Sequence, residues 1–201
     1  MVNTWFVLVI VISYCLGNIS PSTLQAREKG IDIKKAGSGN AGTTNTLRVL
    51  GPKAALVTMV VDIAKGALAV SLACIFAPDA AMYCALAVFI GHIWPVFLKF
   101  KGGKGVATAF GAVVTLDWRL GLLSLVIVVL AVLITRKVSL GSIIIGLAFP
   151  VECYFMKPDF IYVGTIMALL VLFKHRSNFV RLIHGEEDSI SFSRFKKKGG
   201  E

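Results

Sequence analysis

The chain has 201 residues, of which 56% are hydrophobic and 16% charged, and its net charge is +10. A soluble domain of this size carries about 45–50% apolar and about 25% charged residues, so the apolar surplus is more than one core can hold and lipid is its natural solvent. The basic residues lie between apolar runs, which argues against a nucleic-acid partner and for membrane topology with anionic lipid headgroups as neighbours.

Apolar segments run over 4–24, 53–76, 80–98, 105–116, 119–135, 138–156 and 159–173. A spanning helix needs about 20 residues. The first, second, third and sixth segments reach that length, the fifth and seventh are marginal, and the fourth is too short to cross untilted. The pattern predicts an all-α integral membrane protein with about seven transmembrane helices; five full spans with two re-entrant pieces is the alternative. Gly51-Pro52, Pro78-Asp79, Gly102-Gly103, Asp117 and Lys157-Pro158-Asp159 mark the breaks. Residues 1–24 lack a basic start and a small-residue cleavage site, so they read as a retained helix. Residues 1–186 are expected to form a single transmembrane domain and 187–201 a basic cytoplasmic tail touching anionic headgroups. Cys15, Cys74, Cys84 and Cys153 all fall inside apolar runs with no C-x-x-C pair. They read as small buried hydrophobes. With three scattered histidines, no metal site and no cofactor are expected.

Charge sets the predicted orientation. One set of loops holds Arg27, Lys29, Lys34, Lys35, Arg48 and Lys53, then Lys99, Lys101 and Lys104, then Arg136 and Lys137, then Lys174, Arg176, Arg181 and the run from Arg194 to Lys198. The opposite set holds Arg119 and Lys157. Cytoplasmic loops carry the Lys/Arg excess, so the N-terminus is expected outside and the C-terminus in the cytoplasm.

Three polar clusters fall on that basic side. The first is Ser38-Gly39-Asn40-Ala41-Gly42-Thr43-Thr44-Asn45, followed by Arg48. Its glycines allow tight turns with exposed N–H groups. Thr and Asn are suited to cap the next helix, and Arg48 to fork onto phosphate one turn later. A capped, solvated loop is the bland alternative. The second cluster contains His92, then Lys101-Gly102-Gly103-Lys104-Gly105. A Gly-Gly-Lys-Gly turn opening a helix is a phosphate or oxyanion cradle. It lacks the spacing and the Ser/Thr of a Walker A loop. Taken alone, its lysines read as ordinary loop charge and His92 as an interfacial histidine. In the third cluster His175 and Asn178, three apart, share a helix face; a basic helix on lipid headgroups is the alternative, and Arg181 is assigned only that role. Asp62 and Lys65, three apart within the second segment, can pair there. Ser139 and Ser142 open the sixth segment, placed to bond their own helix carbonyls or a substrate.

Together these motifs are similar to a known family. Ser38-Gly39-Asn40-x-Gly42-x-Thr44-Asn45-x-x-Arg48, then Gly91-His92-x-x-Pro95 leading to Lys101-Gly102-Gly103-Lys104-Gly105-Val106-Ala107-Thr108, then His175-x-x-Asn178-x-x-Arg181, in that order over residues 1–186, closely resemble the bacterial acyl-phosphate:glycerol-3-phosphate acyltransferases, the PlsY family. The resemblance implies a seven-helix inner-membrane enzyme with its site facing the cytosol. It implies acyl transfer from acyl phosphate to the 1-hydroxyl of glycerol 3-phosphate, giving 1-acyl-glycerol 3-phosphate and phosphate. Catalytic roles fall on Arg48, Lys104, His175 and Asn178. Substrate binding falls on Ser38, Gly39, Asn40, Gly42, Thr44, Asn45, His92, Lys101, Gly102, Gly103, Gly105, Ser139 and Ser142.

The residue chemistry agrees with this reading: both substrates carry phosphate, and cations with backbone donors can hold them without a metal. No His-x4-Asp pair is present, since Phe97, Val180 and Ser189 stand five residues past the three histidines. Acyl phosphate is already activated, so a substrate phosphate is the expected base, with His175 as the competing one. The other functional class is a small multi-span transporter of a phosphate-bearing anion. Its site would sit near the midplane, where the sequence offers only Asp62 and Lys65.

Overall fold

The computed structural model describes residues 4–189, and within them the regular elements are all helical, with no strand. The helices are α1 (Thr4–Gly17), α2 (Pro21–Glu28), α3 (Thr43–Leu50), α4 (Pro52–Phe76), α5 (Ala81–Ile93), α6 (Val106–Leu116), α7 (Trp118–Thr135), α8 (Val138–Met156), α9 (Ile161–Lys174) and α10 (Arg176–Ile183). Five stretches are long and apolar enough to cross a membrane: Thr4–Glu28, Pro52–Phe76, Pro78–Leu98, Trp118–Thr135 and Val138–Met156. Pro158–Lys174 with Arg176–Ile183, bent by 54°, adds a sixth if the pair is one span.

Local chemistry explains the boundaries. The first apolar segment is two helices, because Pro21 starts a new one after Asn18 has turned its side-chain amide back to the Tyr14 carbonyl at 2.6 Å. Gly51, at φ 90°, releases the chain into α4 with Pro52 at its first turn. Asp117 caps α7 by accepting from the Arg119 and Leu120 amides at 2.9 and 3.4 Å. The 11-residue α6 is about 16 Å long. The loop before it makes up the depth: Gly102 and Gly103 are buried against the end of α5, and the Gly103 amide donates to the His92 carbonyl at 3.1 Å. Irregular backbone at such a depth is tolerated where protein encloses it.

Two clusters hold the bundle together. The first packs small side chains of α1, α4, α5 and α6, including Val9, Ala69, Ala73, Ala85 and Ala112. Small residues let membrane helices approach closely. At the α4–α6 crossing the approach is backbone to backbone: a Cβ on Gly66 would overlap the Thr108 carbonyl, and one on Gly111 the Ile63 carbonyl. The second cluster is bulkier, with Phe89, Leu120, Phe149, Phe160 and Met167 joining α5 to α9. Leu56, Val57, Val60, Leu133, Ile134 and Leu147 point outward, where the solvent is lipid. Cys84 and Cys153 are buried as expected, whereas Cys15 and Cys74 are exposed on the apolar exterior.

Inside the bundle Asp62 and Lys65 do pair, at 2.8 Å. The Lys65 ammonium also donates to the Gly17 and Ile19 carbonyls at 3.1 and 2.6 Å and to His92 Nδ1 at 2.8 Å. It therefore closes the end of α1 and ties it to α4 and α5.

Candidate active site

The ends of α3, α6, α8 and α10 converge on one cavity of about 470 Å3. Its polar mouth is lined by Ser38, Asn40, Gly42, Thr44, Asn45, Arg48, His92, Lys104, Gly105, Ser139, Ser142, His175 and Asn178. Three sequence motifs far apart in the chain thus meet at one place. Four expected residues do not line it. Gly39 belongs to the outer turn of the first loop, and the Lys101 side chain is exposed. Gly102 and Gly103 lie beneath the wall and support it.

The first motif is wired differently from the simple capping expectation. Gly42 is the N-cap of α3 and no side chain caps it. Asn45 instead folds back on the loop. Its carbonyl accepts from the Ser38 amide at 2.8 Å, and its amide donates to the Ile33 and Ala36 carbonyls at 3.3 and 3.0 Å. Its role is to shape the loop that presents Ser38 and Asn40, while Arg48, one turn on, reaches the cavity rim. Thr43 Oγ is buried with no partner at the same wall.

In the second motif, neither Gly102 nor Gly103 has room for a side chain. A Cβ on Gly102 would overlap the His92 carbonyl oxygen, and one on Gly103 would overlap His92 Nε2 and the Ala41 carbonyl. Gly105 is left-handed, at φ 82°, and ends the turn as the N-cap of α6. This geometry aims Lys104 inward, where its ammonium donates to Asn178 Oδ1. Burial, the largest influence, together with neighbouring Arg181, Arg48 and Lys174, pushes its amine down to about 8 against the opposing pull of Glu187. Lys34, unassigned from sequence, donates to the Gly102 carbonyl and steadies the loop from outside; burial lowers its amine to about 8 as well.

In the third motif His175 is the turn between α9 and α10 and is buried. Its Nδ1 lies 2.9 Å from the Val171 carbonyl. A carbonyl only accepts, so Nδ1 carries the hydrogen and Nε2 is the free acceptor. Asn178 shares the cavity face with it, as the spacing predicts.

Glu187 is the residue that sequence reasoning missed. The expected domain boundary at 186/187 falls just before it, yet it is buried at the cavity mouth. Ser139, Asn178 and Arg181 donate to its carboxylate at 2.7, 2.7 and 2.8 Å. Burial alone would raise this carboxyl, but those three donors hold it below the usual glutamate range. Arg181 therefore holds Glu187, a contact its assignment to lipid headgroups did not include, and Asp188 pairs with Arg48 at 3.3 Å. The only sequence hint was the acidic run Glu186-Glu187-Asp188 next to a basic helix. Ser142 bonds its own helix, donating to the Val138 carbonyl at 3.1 Å. The basic run from Arg194 lies outside the described residues. Among the described residues no group of three or more His, Cys, Asp or Glu could hold a metal.

Below the mouth the cavity turns apolar. Phe110, Val113, Leu125, Ile145, Phe149 and Met167 line it between α6, α7, α8 and α9. A site of this form offers cations and hydroxyls to an anionic head and a hydrocarbon-lined slot to a tail.

Comparison with known proteins gives one consistent result. A family model described as glycerol-3-phosphate acyltransferase matches residues 7–185. A glycerol-3-phosphate acyltransferase of Shouchella clausii is 39% identical over 192 residues, covering 90% of this chain and 94% of its own. One of Thermoanaerobacter sp. is 43% identical over 188 residues, covering 92% and 95%. A crystal structure of PlsY, an integral membrane glycerol 3-phosphate acyltransferase in its glycerol 3-phosphate form, superposes with a TM-score of 0.89 at 31% identity, covering 96% of this chain and 99% of that one. The lysophosphatidic acid form superposes with a TM-score of 0.84, again at 31% identity, covering 95% and 98%.

Proposed function

The chain belongs to the glycerol-3-phosphate acyltransferase family, and on that premise we propose that it acylates the 1-hydroxyl of glycerol 3-phosphate with acyl phosphate as donor. The products are 1-acyl-glycerol 3-phosphate and inorganic phosphate. The observation that carries this reading is the single cavity with a cationic, hydroxyl-rich mouth and an apolar interior. It matches an anionic acceptor and a donor that is anionic at one end and hydrocarbon at the other. A transporter would place its site near the midplane, whereas the convergent motifs here sit at the helix ends.

In the reaction the glycerol 1-oxygen attacks the acyl carbonyl carbon. The bond from that carbon to the phosphate oxygen then breaks, and phosphate leaves with the electron pair. Arg48 and Lys104 stabilise the phosphates and the developing oxyanion by charge-assisted hydrogen bonds. His175 Nε2 and Asn178 orient the acceptor. The hydroxyl proton goes to a substrate phosphate, because protonating buried His175 would put a second positive charge beside half-buried Lys104.

Purified protein in detergent is expected to release phosphate from acyl phosphate only when glycerol 3-phosphate is present, and not to accept acyl-CoA in its place. Comparable rates with acyl-CoA would refute the donor assignment. For the base, His175→Gln is expected to lose about 10²-fold through orientation while keeping the wild-type acidic limb of kcat/KM. Loss of that limb, with recovery by imidazole, would make the histidine the base. The site faces the cytoplasm of the bacterial inner membrane in this proposal, supported by the basic loops around the cavity. Cysteines placed at the exposed positions 30 and 186 should be labelled from the cytoplasmic side and one at position 79 from outside. Labelling of positions 30 and 186 from opposite sides would break the shared-site arrangement.

A further inference from the structure

We propose that the Ser124–Glu152 pair is the polar floor of the apolar cavity and sets the length of acyl tail that the enzyme accepts; this rests on the reading that the cavity holds the tail of acyl phosphate. On α8 the cavity face passes through Ser139, Ser142, Ile145 and Phe149, at the three- and four-residue spacing of one helix face. The next position along that stripe, one step beyond the last lining residue Phe149, is Glu152, the only acidic residue of α8. It is buried, and Ser124, which lines the cavity from α7, donates to its Oε2 at 2.6 Å. Its Oε1 is buried with no hydrogen-bond partner.

A simple tie between α7 and α8 would explain the Ser124 bond but not the second oxygen. Buried polar atoms are normally satisfied, and ionisable groups inside a membrane mark functional places. A hydrocarbon tail has nothing to offer a carboxyl group, so a chain that slides down the slot stops gaining contact where the wall becomes polar. The depth agrees with this role. Thirteen residues separate Ser139 at the mouth from Glu152, about 20 Å along the helix. An extended alkyl chain advances roughly 1.3 Å per carbon, from bonds of about 1.5 Å at tetrahedral angles. The slot therefore takes about 15 or 16 carbons before its tip meets Ser124 and Glu152.

The test measures kcat/KM for saturated acyl phosphates from about 12 to about 20 carbons, bracketing the slot's depth of about 20 Å. Each buried methylene is worth about fourfold in affinity, so wild-type values should climb to about 16 carbons and then fall. Glu152→Ala opens the floor and should move the maximum at least two carbons longer, raising the long-to-short ratio about tenfold or more. Ser124→Leu fills the slot and should move the maximum shorter. Glu152→Gln keeps the shape and an acceptor for Ser124, and should restore the wild-type profile. Unchanged maxima in Glu152→Ala and Ser124→Leu, with uniform loss of rate, would reduce the pair to a helix tie and overturn the proposal. If Glu152→Ala does not fold, Ser124→Leu decides alone. Failure of the wild-type protein to acylate glycerol 3-phosphate from any of the donors would instead refute the proposed function.

Discussion

Gly102→Ala and Gly103→Ala are each expected to cut kcat/KM for glycerol 3-phosphate by about 10²-fold or more, because the misplacement of a positioned group by about 1 Å has that cost. A methyl group at position 102 would overlap a backbone oxygen, that of His92, which cannot swing aside as a side-chain tip can. At position 103 the methyl would meet the His92 ring and the Ala41 carbonyl together. Relief requires the loop to lift from α5, which breaks the Gly103–His92 hydrogen bond and carries Lys104 off Asn178. Neither glycine lines the cavity, so the loss would come from displaced neighbours rather than a missing contact. Phosphate-release kinetics on folded, membrane-inserted variants check this. Near-normal kcat/KM in both would mean that the loop does not position Lys104 for the reaction.

Lys104→Ala should lose about 10–100-fold in kcat/KM, the worth of a charge-assisted hydrogen bond of about 1.5–3 kcal/mol. Its pH dependence gives a sharper test. With the amine pushed down to about 8 by burial, the side chain is charged below that pH and neutral above it. The phosphate contact is present at neutral pH and fades as pH rises through 8, so the alkaline limb of wild-type kcat/KM, which reports the free enzyme, should fall near 8. Lys104→Arg stays charged throughout and should move that limb upward, at reduced rate because the guanidinium does not fit the same place. A limb that stays near 8 in Lys104→Arg would transfer it to Lys34, whose amine is also lowered to about 8.

What could be read in the sequence depended on how local its physical cause is. The glycine turn before α6 was legible because a turn and a helix start are short-range events, and the His175–Asn178 face because helical spacing fixes it. The Asp62–Lys65 pair followed from the same spacing. Helix ends with unusual breaks were less visible: the split at Asn18–Pro21 falls inside the stretch 4–24 taken as one apolar segment, although the chain turns markedly more polar from α1 to α2. Asn45 and Gly42 exchanged their expected roles because a side chain with four hydrogen-bond positions finds three partners in the preceding loop. Burial within the apolar runs was the least legible. Lipid and protein core ask for the same residues, so nothing in the sequence marked Cys15 and Cys74 as outward or Cys84 and Cys153 as inward. Glu187 was hidden for the opposite reason. Its donors come from positions 139, 178 and 181, and only the closing of α8 against α10 brings them together.

The Lys65 ammonium constrains how the protein is assembled. A lone lysine inside hydrocarbon is costly enough to be rejected or drawn to the surface, yet this one is satisfied by the carbonyls of Gly17 at the end of α1 and Ile19 just past it, by Asp62 on its own helix and by His92 on α5. None of the three helices is at rest without the others: α1 alone leaves bare carbonyls at its end, α4 alone carries an ion pair with unmet valences, and α5 alone buries a ring nitrogen. The full set of Lys65 contacts is complete only when α1, α4 and α5 are all in place. The first helix is thus a working strut of the bundle: its removal would take two carbonyl acceptors from the Lys65 ammonium and leave it with Asp62 and His92 alone.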